Sequence, residues 1–467
     1  MQPNLGIASM TSLPPVDAGA LRQALARRVA FRTESQNPER APELRAYLAD
    51  EIAPTLARLG FACALWDNPV AGKPPLLFAE RIEDAALPTV LMYGHGDVVP
   101  GYDAQWKQSA SPWTLEERGN RWYGRGTADN KGQHSINLAA IERVLQAQGR
   151  LGCNIKWLFE MGEEVGSPGL RAVCESRRGE LAADVLIASD GPRLRSDLPT
   201  LFLGSRGAFN FVLDCRLREG SHHSGNWGGL LANPGVVLAH AIASLVDARG
   251  AIRVPGLRPP PIPDSVRRAL ATIEPGEPGG PAIDRDWGEP GLTPAERVFG
   301  FNTLEVLAFV TGNPENPVNA IPGRAFAHLQ LRFVAGCDPA TFMAAIRAHL
   351  DAHGFARVDV QSSRSETMAA TRLDPDHPWV RWAAASVQRT TGIAPAILPN
   401  LGGSLPNDCF VDVLGLPTIW VPHSYPACSQ HAPGEHLLAD VAVQGVAIMS
   451  GLLADIGSAP RRRPTEA

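Results

Sequence analysis

The sequence has no run of about 18 apolar residues, so no membrane-crossing helix is expected. Its opening stretch, MQPNLGIASMTSLPPVDAG, lacks a basic region followed by an apolar core, so no signal peptide is expected. Long like-charge runs are missing too. The 43 Lys and Arg residues stand against 48 Asp and Glu, a formal charge of −5. That balance argues against a nucleic-acid partner and against a membrane-surface helix. Cysteine is scarce, with seven scattered residues: Cys63, Cys153, Cys174, Cys215, Cys337, Cys409 and Cys428. An odd count without an export signal fits reduced thiols and a cytoplasmic location. No two of them have zinc-finger spacing, so any metal must rely on His, Asp and Glu. There is no Gly-x-Ser-x-Gly elbow, which excludes the usual serine hydrolase arrangement. No internal repeat is visible.

What is present is a globular chain of 467 residues, 44% apolar, too long for one ordinary core. Helical apolar spacing covers 17–31, 43–59 and 133–148, with a shorter helix at 169–177. Strands are expected at 62–66, 76–81, 89–93, 154–159 and 184–189. Strands alternating with helices predict an α/β fold with a mixed, largely parallel sheet flanked by helices. After about residue 205 the texture changes. Strands at 208–217, 303–310, 324–333 and 358–361, with helices at 234–248 and 339–353, predict a smaller α+β domain. It contains a proline- and glycine-rich excursion at 254–291, whose role the sequence does not reveal. The first texture returns with helices at 379–391, 407–414 and 439–454 and a strand at 418–421. The expected organisation is therefore a catalytic domain in two parts, 1–204 and 373–467, with 205–372 inserted.

The chemistry gathers at strand ends. The run Thr89–Tyr93 stops at Gly-His-Gly-Asp, which presents His95 and Asp97 at the carboxyl end of a buried strand, where α/β sheets bind ligands. A glycine-rich turn, GRGTADNKG, carries Asp129. MGEEVG places Glu163 and Glu164 after a strand, the next strand ends at Asp190, and HAPGEH brings His431, Glu435 and His436. Each cluster has an ordinary structural reading alone. Their recurrence after successive strands points to a two-metal site, with imidazole and carboxylate donors suited to zinc, manganese or cobalt. Adjacent glutamates can divide the work, one binding metal while the other takes a proton from the attacking water.

In order along the chain, GHGDVVP, SPWTLEERGNRWYGRGTADNKG, MGEEVGSPGL, ASD, HHSGNWGG, NAIP, GGSLPND and HAPGEH resemble the co-catalytic zinc exopeptidase and amidohydrolase family. That family includes acetylornithine deacetylase, succinyl-diaminopimelate desuccinylase, carnosine dipeptidase and glutamate carboxypeptidase. The resemblance implies that His95 and Asp190 hold one metal ion, that Glu164 and His431 hold the other, and that Asp129 bridges them. It implies Glu163 as general base and Asp97 as the group orienting His95. It further implies that the insert is a lid and dimerisation domain. His223 would then reach the partner subunit's active site to stabilise an oxyanion. Asn319, Arg332, Gly402, Gly403, Ser404 and Glu435 are placed as substrate contacts. Arg332 has a strand ion pair as its alternative role, and Glu435 a loop brace. His436 is expected not to bind metal, His134 to be a local cap or surface residue, and Trp106, Trp113 and Trp122 to pack the irregular segment around them.

Position 130 is Asn where many relatives of this type have a second Asp. Asp at 190 and the GGSLP loop resemble the dipeptidase branch. The resulting expectation is hydrolysis of a dipeptide or short peptide by a water activated at two divalent ions, zinc first, in a homodimer. The alternative is an N-acyl amino acid or aryl amide amidohydrolase with the same site. A catalytically silent binding protein is the third reading.

Overall fold

The computed structural model describes residues 13–277, 280–363 and 368–460. Eight strands form the larger sheet. In spatial order they are Ala62–Trp66, Leu76–Arg81, Asn154–Glu160, Thr89–His95, Val185–Ala188, Thr418–Trp420, Thr200–Phe202 and Ala396–Leu398. The middle four are parallel. Antiparallel pairing begins on either side, at Leu76–Arg81 and Thr200–Phe202. The sheet is thus mixed and largely parallel.

Burial on both faces explains the continuous apolar runs. Val90 and Met92 face one core with Trp157 and Phe159. Helices Ala18–Val29, Lys131–Gln148, Pro378–Thr391 and Ala439–Asp455 cover that side through Leu25, Ile141, Val387 and Val446. Leu91 and Tyr93 face the opposite core with Leu158, Leu170 and Phe410. Each fully buried Leu or Val in these layers contributes roughly 1.5–3 kcal/mol relative to exposure. The expected helix at 43–59 is instead three consecutive pieces, Ala41–Ala46, Tyr47–Ile52 and Ala53–Arg58, the middle one π-helical. Pro54 has no N–H to continue the ordinary ladder, and the wider turn precedes it.

A second, antiparallel sheet has the order Thr303–Thr311, Arg324–Phe333, Gly207–Arg216, Asp359–Ser362. Gly207–Arg216 alternates between buried and more exposed positions. Helices Pro234–Leu245 and Phe342–Ala352 cover the buried face through Leu238, Leu245, Ile346 and Leu350. Asn233 starts the first of these by accepting the Gly235 N–H at 2.9 Å.

The proline-rich excursion differs from its expectation as an irregular part of the insert. It contains the helix Asp264–Leu270, and the helix Pro294–Phe299 follows it. Val266, Leu270, Ala295 and Phe299 enter the core beneath the larger sheet, alongside Leu398 and Leu401. The stretch therefore packs with the larger sheet rather than with the second one. Its prolines interrupt the apolar spacing that would have marked these short helices. Among the described residues, no helix is long and apolar enough to cross a membrane. The triple-arginine tail at 461–463 lies outside the described residues.

Candidate metal centre

The parallel strands end on one side of the sheet, and the predicted ligands follow them. His95 is the last residue of Thr89–His95 and pairs in register with Glu160, the last residue of its neighbour. Glu163 and Glu164 lie in the tight turn after Glu160, and Asp190 lies just past Val185–Ala188. His431 sits in the loop after Thr418–Trp420, with its backbone in the left-handed region at φ 61°. A non-glycine residue there is uncommon and typical of functional loops. Asp129 precedes the helix Lys131–Gln148.

Two glycines make this convergence possible. A Cβ on Gly96 would lie 2.4 Å from the Tyr47 ring and 2.7 Å from the Met161 sulfur. Only glycine lets the chain pass there between His95 and Asp97. A Cβ on Gly132 would lie 1.9 Å from the Thr127 carbonyl oxygen, so the helix could not start so close to the Asp129 loop.

The side chains form two donor triads, His95–Asp129–Asp190 and Asp129–Glu164–His431, with ligand atoms within 4.8 Å of one another in each. Asp129 belongs to both. Its Oδ1 is 3.0 Å from His95 Nε2, and its Oδ2 is 3.0 Å from His431 Nε2. His95 Nε2 is 3.5 Å from Asp190 Oδ2, and His431 Nε2 is 3.1 Å from Glu164 Oε2. Asp97 Oδ1 lies 3.3 Å from the other ring nitrogen of His95. The same carboxylate accepts the backbone N–H groups of Glu163 and Glu164 at 3.2 and 3.1 Å. It thereby fixes His95 of one triad and the turn that carries Glu164 of the other.

Whether these residues suit a divalent cation can be judged from their own chemistry. His95 Nε2, Asp129 Oδ1, Glu164 Oε1 and Asp190 Oδ2 are buried without a hydrogen-bond partner. Each such group costs about 1–3 kcal/mol unless something satisfies it. The electrostatics point the same way. Burial opposes charge on His95, yet Asp129, Asp190 and Asp97 outweigh it and hold the imidazole well above its ordinary pKa. Hydrogen bonds to Asp129 and Glu164 push His431 up to about 11. Burial raises Glu163 well above the carboxylate range and Glu164 to about 7. A cluster that draws protons this strongly is a cluster built for positive charge, and a divalent ion is the stronger form of it. Imidazole and carboxylate donors without thiolate fit the ions expected from the sequence.

The His95 side chain is wholly buried, whereas the His431 side chain is 51% exposed. It opens into a cleft of about 1810 Å³. Asp129, Glu163, Glu164, Asp190 and His431 line one side of it. Gly402, Gly403, Ser404 and Arg332 also line it. Arg332 Nη1 donates to Ser404 Oγ at 2.8 Å, joining the second sheet to the loop after Ala396–Leu398.

The other expected site residues fall elsewhere. His223 is exposed, on a two-residue ladder with Ala320–Ile321, and Asn319 is exposed beside it. Neither is on the wall of its own cleft. Glu435, expected among the substrate contacts, is a loop brace. It is 1% exposed, pairs with Arg125, and accepts the N–H groups of Gly126, Ala128 and Asp129. Its oxygens are thereby committed to holding the Asp129 loop. His134 is not a surface residue or local cap but is fully buried. His436 Nε2 meets the Tyr425 hydroxyl at 2.6 Å, away from the triads. Trp106, Trp113 and Trp122 are buried and absent from the cleft wall. Sequence reasoning missed Gln430, whose amide donates to Asp129 Oδ2. Only its adjacency to His431 marked it.

Residues 91–455 match Peptidase family M20/M25/M40. The chain belongs to that family. It is 31% identical to the Beta-Ala-His dipeptidase of Mus musculus over 325 residues, covering 66% of this chain and 63% of that protein. It is 28% identical to the cysteinylglycine-S-conjugate dipeptidase of Corynebacterium striatum over 335 residues, covering 70% and 71%. Thus the match spans a little under two thirds of the mouse relative. The fold is that of human carnosine dipeptidase 1, with a TM-score of 0.75 at 23% identity over 94% of this chain and 96% of that one. The similarity lies with the dipeptidase branch of the family, and the donor set agrees with the divalent metal ions that a metallopeptidase requires.

Proposed function

We propose that this peptidase-family protein is a metal-dependent dipeptidase that hydrolyses the peptide bond of a dipeptide or short peptide. The observation that carries the reading is the pair of donor triads joined through Asp129. In this reading His95 and Asp190 would hold one ion and Glu164 and His431 the other, with Asp129 shared by both triads. Zinc is the first choice, with manganese or cobalt also suited to the donors. When bound, two such ions polarise the scissile carbonyl and make water a stronger acid. Glu163 takes the proton of the attacking water and then gives it to the leaving amine. Asp97 keeps the His95 ring and the Glu163–Glu164 turn in place. Arg332 and Ser404, with Gly402 and Gly403, take the carboxyl end of the substrate.

The deciding measurement of substrate is a panel of dipeptides and N-acyl amino acids with metal-reconstituted enzyme. Dipeptides are expected to turn over at least tenfold faster. Rapid cleavage of N-acyl amino acids beside inert dipeptides would replace this reading with the amidohydrolase one. Inactivity on both panels with metal bound would indicate a silent binding protein.

The insert is proposed as lid and dimerisation domain. Its edge strand Thr303–Thr311 exposes Val306, Leu307, Phe309 and Val310, and Trp227, Leu230 and Val318 are also exposed. An open edge bearing apolar side chains calls for a partner. Pairing through it supports a homodimer in which His223 serves the partner's cleft. His223→Ala is then expected to lower kcat about 10²–10³-fold, in the range for loss of one oxyanion donor. Mixed dimers of His223→Ala with Glu163→Ala should regain a fraction of wild-type activity, because one cleft recovers both groups. Verified mixed dimers with no recovery would remove the trans role. A cytoplasmic location is proposed on the seven cysteines, all of them free.

A further inference from the structure

Beneath the two triads runs a buried thread of polar groups with no part in the steps above. The Tyr47 hydroxyl is 2.6 Å from His134 Nε2. His134 Nδ1 is 3.2 Å from Asn130 Oδ1. Asn130 Nδ2 donates to the Ser189 carbonyl at 2.9 Å. Tyr47, His134 and Asn130 are fully buried, and Ser189 is 1% exposed.

The chemistry of these groups gives the thread one direction. The Asn130 carbonyl oxygen can only accept, so His134 Nδ1 must carry the hydrogen. A neutral ring then has its lone pair on Nε2, so the tyrosine hydroxyl must donate. At the other end the Ser189 carbonyl can only accept, and the Asn130 amide supplies the donor. A carboxylate at position 130 could accept from His134, but it would leave Ser189 without this donor. The asparagine at 130 is the group that satisfies both of its neighbours.

The thread meets three segments that carry the proposed metal ligands. Asn130 directly follows Asp129, which both triads share. Ser189 directly precedes Asp190. The Tyr47 ring packs against Gly96, beside His95, in the space a Cβ would need. The widened helical turn Tyr47–Ile52 begins at this tyrosine. We infer that Tyr47, His134 and Asn130 are positioning residues that set Asp129 and Asp190 relative to His95, and that the amide at position 130 is required for this. They touch neither substrate nor the reacting atoms, and they act through the ligands they align. The inference rests on the metal-centre reading above.

The test uses the full chain loaded with cobalt(II) alone. Cobalt's visible absorption reports coordination geometry independently of turnover. Binding is measured by competition with a chelator, and folding is measured by the melting temperature of the metal-free chains. Asn130→Asp and His134→Ala are expected to weaken cobalt binding about ten-fold or more, the usual scale for partners of metal ligands. Each should also change the absorption spectrum. The double variant should bind no more weakly than the worse single one, because the thread acts as a unit. Tyr47→Phe removes one hydroxyl and little volume, so it serves if either of the others fails to fold. It should weaken binding in the same direction. A wild-type chain that takes up no cobalt overturns the metal-centre reading, and this inference falls with it. A wild-type chain that binds two ions, beside folded variants with the same affinity and spectrum, overturns this inference alone. Lower melting temperatures with unchanged binding and spectra would give the thread a purely structural role and overturn it as well.

Discussion

Glutamine in place of Glu163 is expected to leave both ions bound and to lower kcat for dipeptide hydrolysis by about 10²–10⁴-fold, the usual contribution of a positioned acid–base group. The substitution keeps the shape and the backbone N–H that Asp97 accepts. It removes the one thing the reading needs, a carboxylate that can take and return a proton. Burial raises Glu163 above the ordinary carboxylate range, and Asp190, Glu164 and Asp129 add to this while His95 opposes it. Metal content by elemental analysis, beside kcat and KM, separates the possible outcomes. Activity within a few-fold of wild type would exclude Glu163 as base. Lost metal would make it a ligand instead.

Asp129→Ala should have the broadest effect on the centre, because Asp129 contributes to both triads. Removing it leaves two donors on each side, His95 with Asp190 and Glu164 with His431. The purified variant is expected to hold less than one ion per chain and to show no measurable turnover. Asp190→Ala, which touches one triad, should keep about one ion per chain. A breaking of both triads by one side chain is what distinguishes a bridge from an ordinary ligand. Two ions retained in Asp129→Ala would show that the triads are independent, and the shared-carboxylate reading would have to be abandoned. Prolonged chelation of the wild type should produce the same inactive state, reversed by adding back the ion.

The route from Thr89 to His95 was legible because a buried parallel strand needs apolar side chains on both faces. Such a run ends where the sheet ends, so the polar residues beyond it stand out. The same logic exposed Glu164 after Asn154–Glu160 and Asp190 after Val185–Ala188. Glu435 was legible only as two alternatives, a substrate contact or a loop brace. In sequence it sits four residues from His431, among residues that resemble a substrate loop. In the fold it meets Arg125, 310 residues away, and three N–H groups of the Asp129 loop. His134 was misread for a related reason. The start of a helix is ordinarily solvated, but this one lies under the metal centre, with Tyr47 against it. The helix Asp264–Leu270 escaped because its flanking prolines resemble a loop, and its burial depends on the distant residues Leu398 and Leu401.

The sequence by itself determined six of the eight strands of the larger sheet, the identity of the candidate donors and their order, because apolar spacing and strand-end polarity are local properties; the three-residue strands Thr200–Phe202 and Ala396–Leu398 are too short to show such spacing. Only the tertiary structure brought Asp129 within 3.0 Å of both His95 and His431, chose the loop brace for Glu435, and joined Asn130 to His134 and Ser189. Those facts depend on which groups meet across hundreds of residues. A buried polar atom is explained only by the partner that satisfies it, and the chain must close before that partner can be found.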